Sequence, residues 1–187
     1  MITREQAIEN RIIRHCARLG YPDALVIRRA KLGRGGFGIV DVMLLPQKGS
    51  GSHRRLVLVE VKQHGSGDTA GKVVGQLLLY YAAAMQLGIE GLERLREFAR
   101  KNERKARNAR PKTLQMLSGL PHKVDWRALK AGRKLEPREI ALVVGLSEEP
   151  KESLRPMLRA LKKHHQIEIT VVIAHGHKDV KIWRAHK

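Results

Sequence analysis

The sequence predicts an α/β protein with a mixed central β-sheet flanked by helices on both faces. Three short strand-patterned runs follow one another early, separated only by glycine-rich or polar turns, as in a three-strand meander. Later in the chain a strand, an amphipathic helix and a further strand alternate, so that the connections favour a mixed sheet. Two more helical patterns, one before the meander and one after it, supply the flanking layers.

Residues 3–19 read as the first helix, with Thr3 as N-cap, Glu5 in the first turn, and Ile8, Ile12, Cys16 and Leu19 on one face. Gly20, Tyr21 and Pro22 end it. The meander follows as strands over 24–30, 39–45 and 56–62, the first two joined by the glycine-rich segment 33–38 and the last two by a polar turn over 47–53. A second helix is expected over 71–87, its apolar side carrying Val73, Leu77, Tyr81 and Ala84. Residues 88–112 are helical and strongly basic, and 113–138 are broken by Gly119, Pro121, Gly132 and Pro137. The signal returns with an apolar strand over 140–146, an amphipathic helix over 153–165, a strand over 167–174 and a short last strand over 180–184. The expected organisation is a single domain over 1–187, with a core of 3–87 and 139–187 and a basic helical insertion at about 88–138.

Charge narrows the function classes. The 187 residues carry 37 Lys plus Arg against 18 Asp plus Glu, a net +19, which attracts polyanions and makes nucleic acid the leading partner. With one cysteine, Cys16, neither an internal disulfide nor a cysteine-based zinc cluster can form. Residues 1–6 lack the apolar core of a signal peptide, and the longest apolar stretch, 73–85, is interrupted by Gly75 and Gln76. A soluble protein of the cytoplasm, with no membrane partner, is the expectation.

Chemistry is concentrated on the second and third strands. Asp41 interrupts the apolar run 39–44, and Glu60 and Lys62 interrupt 56–62. Burying an unpaired carboxylate costs several kcal/mol, so two on neighbouring strands call for a reason. Residues i and i+2 of a strand share a face, which projects Glu60 and Lys62 together while Val61 turns into the core. If the two strands pair through their turn, Asp41 comes within reach of Glu60. Converging carboxylates suit a hard divalent cation, magnesium or manganese, and a lysine beside it can orient or help deprotonate a water and offset charge on a phosphate. A purely structural ion-pair cluster is the competing reading.

Asp41 followed after eighteen residues by Glu60-Val61-Lys62 resembles the signature of the PD-(D/E)xK, or restriction-endonuclease-like, nucleases. Glu9 on the first helix resembles the helical glutamate of archaeal Holliday-junction resolvases, with Glu5 as the alternative one turn earlier. Gln76 and Tyr80 resemble the Q-x-x-x-Y motif of RecB-type members. Val40 stands where the signature has proline, and the basic stretch has no counterpart in the minimal family core. The resemblance implies a restriction-endonuclease-like αβββαβ core and a magnesium- or manganese-dependent endonuclease. It implies metal held by Asp41, Glu60 and the Val61 carbonyl, with Glu9 binding directly or through water. Lys62 would act on the water, and Gln76 would orient Lys62 or a phosphate. Double-stranded or branched DNA is the implied substrate, and homodimerisation follows by analogy with members that cut two strands.

Two groups of arginines are expected to touch DNA. Arg34, in the glycine-rich segment, fits a phosphate contact beside the site, with a simple flexible connector as the alternative reading of that segment. A phosphate-cradling P-loop is disfavoured because a strand rather than a helix follows and no Gly-Lys-Ser/Thr is present. Arg96, Arg100, Arg104 and Arg107 recur at helical spacing, and residues 94–112 hold nine Lys/Arg against two acids, which favours a phosphate-tracking stripe. Two Trp, two Phe and three Tyr give few platforms for stacking single-stranded bases. The alternative from another class is a nuclease-fold DNA-binding or docking subunit of a larger transposition, restriction or defence assembly.

Overall fold

Thr3 starts the first helix through a capping box. Its hydroxyl accepts from the Gln6 N–H at 3.2 Å while the Gln6 side chain accepts from the Thr3 N–H at 2.9 Å, satisfying two orphan donors of the first turn. The helix, α1, covers Arg4–Arg14 and tightens into a 3₁₀ turn at Cys16–Leu19, closed by Gly20 in the left-handed region. The computed structural model describes residues 3–32, 38–47, 53–63, 69–107, 128–150, 154–174 and 179–183. Arg34, the Arg107 side chain and most of 113–138 lie outside the described residues.

The meander forms as β1 (Leu25–Lys31), β2 (Ile39–Leu45) and β3 (Leu56–Lys62), both pairs antiparallel. After α2 (Thr69–Ala84) and α3 (Ile89–Arg107), β4 (Ile140–Leu146) returns parallel to β3. Then α4 (Leu154–His165) crosses over to β5 (Ile169–Ile173), parallel to β4, and β6 (Lys181–Trp183) closes antiparallel. The result is a six-stranded mixed sheet in the order β1-β2-β3-β4-β5-β6. None of the described helices is long and apolar enough to cross a membrane.

Alternation divides the apolar strand residues between two cores. On one face Ile8 and Ile12 of α1 pack on Val57, Val59 and Val61 of β3 and on Val143 of β4. Gly145 makes that approach possible, because a Cβ there would stand 2.5 Å from Ile12 Cδ1. The larger core on the other face joins Met43, Leu58, Leu142 and Val144 to Val73, Leu77 and Tyr80 of α2 and to Leu154 and Leu158 of α4. The helices therefore cover both faces, as the sequence predicts.

The basic stretch differs from its sequence reading. Leu92, Leu95 and Ala99 of α3 are part of the larger core, together with Leu129 and Leu135 beyond it. The Gly88 N–H donates to the Leu129 carbonyl at 2.9 Å, and the Leu135 N–H to the Leu87 carbonyl at 3.1 Å. In its described parts, 88–107 and 128–138, this stretch is a wall of the core, because α3 carries an apolar stripe under its charged surface.

That stripe also corrects the arginine reading. Arg96 lies one turn from Leu92 and from Ala99, and it is 3% exposed. Its guanidinium donates to the Pro46 carbonyl at 2.9 Å and to Glu93 at 2.7 Å, tying α3 to the closed end of the β2–β3 hairpin. Arg96 is committed to holding the fold and is not exposed for a phosphate contact. Arg100 and Arg104 are exposed. Each four-residue step turns a helix about 40° past a full turn, which carries the later arginines out of the groove that Arg96 fills.

At the same closed end, Glu139 forms a saturated ion cluster. Its Oε1 accepts from Arg55 Nε and from Arg133, both at 2.7 Å, and its Oε2 accepts from Arg133 at 3.0 Å and from the Glu136 N–H at 2.9 Å. Burial opposes its charge, but these four bonds win and hold the carboxyl at about 2.

Candidate functional site

The register between β2 and β3 creates the site. Leu44, Met43 and Val42 pair with Val57, Leu58 and Val59, and the pairing ends there. The next step would set Asp41 directly opposite Glu60. Instead the strands fork, and Asp41 Oδ2 accepts the Val61 N–H at 2.8 Å. A side-chain oxygen thus replaces the missing backbone partner, so the fork satisfies the ladder and brings both acids to one place. Glu60 and Lys62 stand at the carboxyl end of β3, beside its parallel neighbour β4, where open α/β sheets commonly bind ligands.

Glu60 is 1% exposed. Its Oε1 accepts from Lys62 at 2.6 Å, whereas Oε2 is buried without a hydrogen-bond partner among the described residues. Burial first, then the neighbouring Asp41 charge, push its carboxyl up to about 7, against the weaker pull of Lys62. Lys62 shows the converse balance: burial opposes its charge, but the bond to Glu60 and the charges of Glu60 and Asp41 raise its pKa on balance. The ammonium therefore stays protonated at neutral pH, and its bond to Glu60 uses one of three donors.

Tyr80 supports the fork from behind. Its hydroxyl donates to the Ile39 carbonyl at 2.7 Å and accepts from the Gln76 amide. Burial and the Glu60 charge raise its pKa, so it remains a neutral donor. Gly38, with φ of 84°, completes the contact, since a Cβ there would press on Tyr80 and Gln76 at 3.3–3.4 Å. The resemblance has Gln76 orienting Lys62 or a phosphate; among the described residues it bonds Tyr80, one turn along α2, rather than Lys62.

The remaining catalytic candidate arrives on α1. Glu9 is 1% exposed, between Ile8 and Ile12 on the face that packs on the sheet. Glu5 is half-buried, near enough for its charge to act on both Glu9 and Lys62. Of the two, Glu9 is joined to Asp41, through a residue that sequence patterning passes over. Arg29 donates from Nη1 to Asp41 Oδ1 and from Nη2 to Glu9 Oε1, each at 2.5 Å. Arg28 adds a looser contact to Glu9 Oε2 at 3.5 Å and donates to Asn10 at 2.6 Å. Burial still dominates at Glu9 and raises its pKa, with Arg29 opposing. The signal for Arg29 is its place in the meander: the pairs Arg28↔Val42 and Ala30↔Val40 leave it facing Asp41.

Glu9, Asp41, Glu60 and Lys62 thus meet in one cluster, and the Val61 backbone enters it through Asp41. Among the described residues no three His, Cys, Asp or Glu side chains already form a metal cage. The donor set nonetheless suits a hard divalent ion. Asp41 and Glu60 offer carboxylate oxygens across the fork, and one of these, Glu60 Oε2, is buried with no partner among the described residues. No protein family, characterised protein or solved structure gives a significant match to the chain.

Proposed function

We propose that this chain is a metal-dependent endonuclease of the restriction-endonuclease-like type, hydrolysing phosphodiester bonds of DNA. The observation that carries the reading is the β2–β3 fork, where Asp41 and Glu60 converge and Glu60 Oε2 is buried without a partner among the described residues. A lone buried carboxylate oxygen beside a second carboxylate is costly in the free protein and becomes favourable when a divalent cation is bound. The order α1-β1-β2-β3-α2, with Glu9, Asp41, Glu60-Val61-Lys62 and Gln76 each in its expected element, supports the family likeness. The net charge of +19 and the exposed Arg100 and Arg104 support a polyanionic substrate.

Asp41, Glu60 and the Val61 carbonyl are the residues that would hold magnesium or manganese. When bound, such an ion lowers the pKa of a coordinated water and offsets charge on the phosphate. Lys62, kept protonated by Glu60 and Asp41, acts as a charge: it orients the water and stabilises the negative charge that builds on the phosphate. It is a poor general base in this setting. Tyr80 and Gln76 hold the start of β2 and thereby the direction of Asp41.

A second reading has its own observation. Arg29 and Lys62 already pair with Asp41, Glu9 and Glu60 at 2.5–2.6 Å, as they would in a DNA-binding or docking subunit that uses the cluster only to hold β1, β3 and α1 together. The deciding experiment is a panel of linear, nicked, branched and flap duplexes with single-stranded DNA and RNA, incubated with magnesium, manganese or EDTA. Cleavage that needs metal and favours duplex or branched DNA is the expected result. Tight binding with no cutting of any member would leave the subunit reading.

A further inference from the structure

Arg29 bridges two acids that the family likeness assigns to metal. The acids and the arginine are not equally free to leave. The Glu9 and Asp41 side chains are 2% and 5% exposed and are fixed on a helix and a strand, whereas the Arg29 side chain is 42% exposed and reaches in from the rim on a long stem. Its φ of 51° lies in the left-handed region, a costly conformation for a residue with a Cβ, and one maintained here where the guanidinium closes on both carboxylates.

Asp41 has two oxygens. Oδ2 accepts the Val61 N–H and is tied to the backbone of β3, whereas Oδ1 accepts from the Arg29 side chain, which makes Oδ1 the oxygen that a side-chain movement can open to an ion. We propose that Arg29 is an internal counter-cation, which bridges Glu9 and Asp41 in the metal-free protein and is exchanged for a divalent cation at Asp41 Oδ1. The inference rests on the reading of the fork as a metal site. It makes Arg29 a competitor for the site rather than part of its ligand set. A single positive charge gives way to a double one at the same oxygen, and the guanidinium, already at the rim, regains water or a phosphate as it leaves.

The test uses manganese alone, titrated into the full chain without nucleic acid and followed by electron paramagnetic resonance. Arg29→Asn and Arg29→Gly remove the charge, and both residues accept positive φ, so neither strains the backbone. Both variants are expected to bind manganese more tightly than the parent, by roughly tenfold, the effect one charge at ion-pair distance has on a neighbouring equilibrium. Arg29→Lys, which keeps the charge but cannot bridge both acids, should fall between them and the parent. Asp41→Asn should abolish the binding. If the parent binds manganese through Asp41 and the neutral variants bind it equally or more weakly, Arg29 is a positioning residue and the exchange is wrong, while the metal reading stands. If the parent binds no manganese at millimolar concentration, the metal reading falls and the exchange falls with it.

Discussion

The two ends of β3 each bury a glutamate among basic side chains, with opposite results. At the closed end Glu139 has its oxygens occupied by Arg55, Arg133 and a backbone N–H, and its carboxyl is held at about 2. At the forked end Glu60 has Lys62 on one oxygen, no described partner on the other and Asp41 nearby, and its carboxyl is pushed to about 7. Burial acts against the charge in both. Bond saturation decides which acid is satisfied as it stands and which keeps a buried oxygen without a described partner. Glu139 therefore belongs to the scaffold, whereas Glu60 is the acid that the proposed function makes a metal ligand.

The sharpest way to break this contrast is at the fork itself. Asp41→Ala, Glu60→Ala and Lys62→Ala should each reduce metal-dependent cleavage by about a thousandfold or more, the scale of losing a charge that acts on the reacting phosphate, while DNA binding survives. Near-normal turnover in any one of them, measured on the best substrate of the panel, would sink the assignment. Glu9→Ala should lower activity further than Glu5→Ala, because Glu9 is the acid joined to Asp41 through Arg29.

The closed end should answer in stability instead. Arg96→Ala leaves the buried Pro46 carbonyl without its donor and should cost about 1–3 kcal/mol in urea unfolding. Its activity per folded molecule should not change. Pro46 lies five residues beyond Asp41, about 17 Å along β2. A drop in turnover at unchanged stability would mean that the two ends are coupled.

Titration separates the two glutamates by sign. Glu60 has its folded-state pKa raised from 4.5 to about 7, so its contribution is fully present below pH 4.5 and is lost as pH rises through 7. Glu60→Gln should therefore stabilise the metal-free protein at pH 8, by about 1–3 kcal/mol, since each tenfold change in a protonation equilibrium is worth roughly 1.4 kcal/mol. Glu139 has its pKa depressed, so its contribution is present above pH 4.5 and is lost as pH falls towards 2. Urea midpoints of the parent, Glu60→Gln and Glu139→Gln in EDTA between pH 3 and 8 test both. A Glu60→Gln variant less stable than the parent at pH 8 would put Glu60 in the same class as Glu139.

The smallest effect is expected on the surface of α3. Replacing Arg100 and Arg104 by Gln should weaken binding to unrelated duplexes alike. It should also flatten the log-affinity against log-salt slope by roughly 0.9 for each phosphate no longer neutralised. An unchanged slope would make that face a solvated or docking surface. Arg96 belongs outside this pair because it is buried.

Local patterning sets how much of the fold and site is legible in the sequence. β2, β3 and β4 have the bounds that their sequence pattern gives, because an apolar run ending at polar turns is a short-range signal. The first helix is shorter than its pattern, since its last turn tightens to 3₁₀ and nothing in the side-chain spacing distinguishes the two. An arginine stripe read by charge alone misplaces Arg96, although Leu92, Leu95 and Ala99 at helical spacing put it among apolar neighbours. Arg29 escapes sequence reasoning because a strand arginine is ordinary until register names the residue opposite it.

Periodicity and desolvation act over a few residues. They are enough to draw the elements, their order, the mixed sheet and the presence of Asp41, Glu60 and Lys62 in strands that otherwise exclude charge. They do not reach the facts on which the site turns. The β2–β3 ladder stops one residue short of Asp41, Arg29 spans from β1 to α1, and Glu60 has an unbonded oxygen among the described residues where Glu139 has both engaged. Whether a buried charge is satisfied depends on donors from distant parts of the chain, and their directions are fixed only when the sheet and helices pack together.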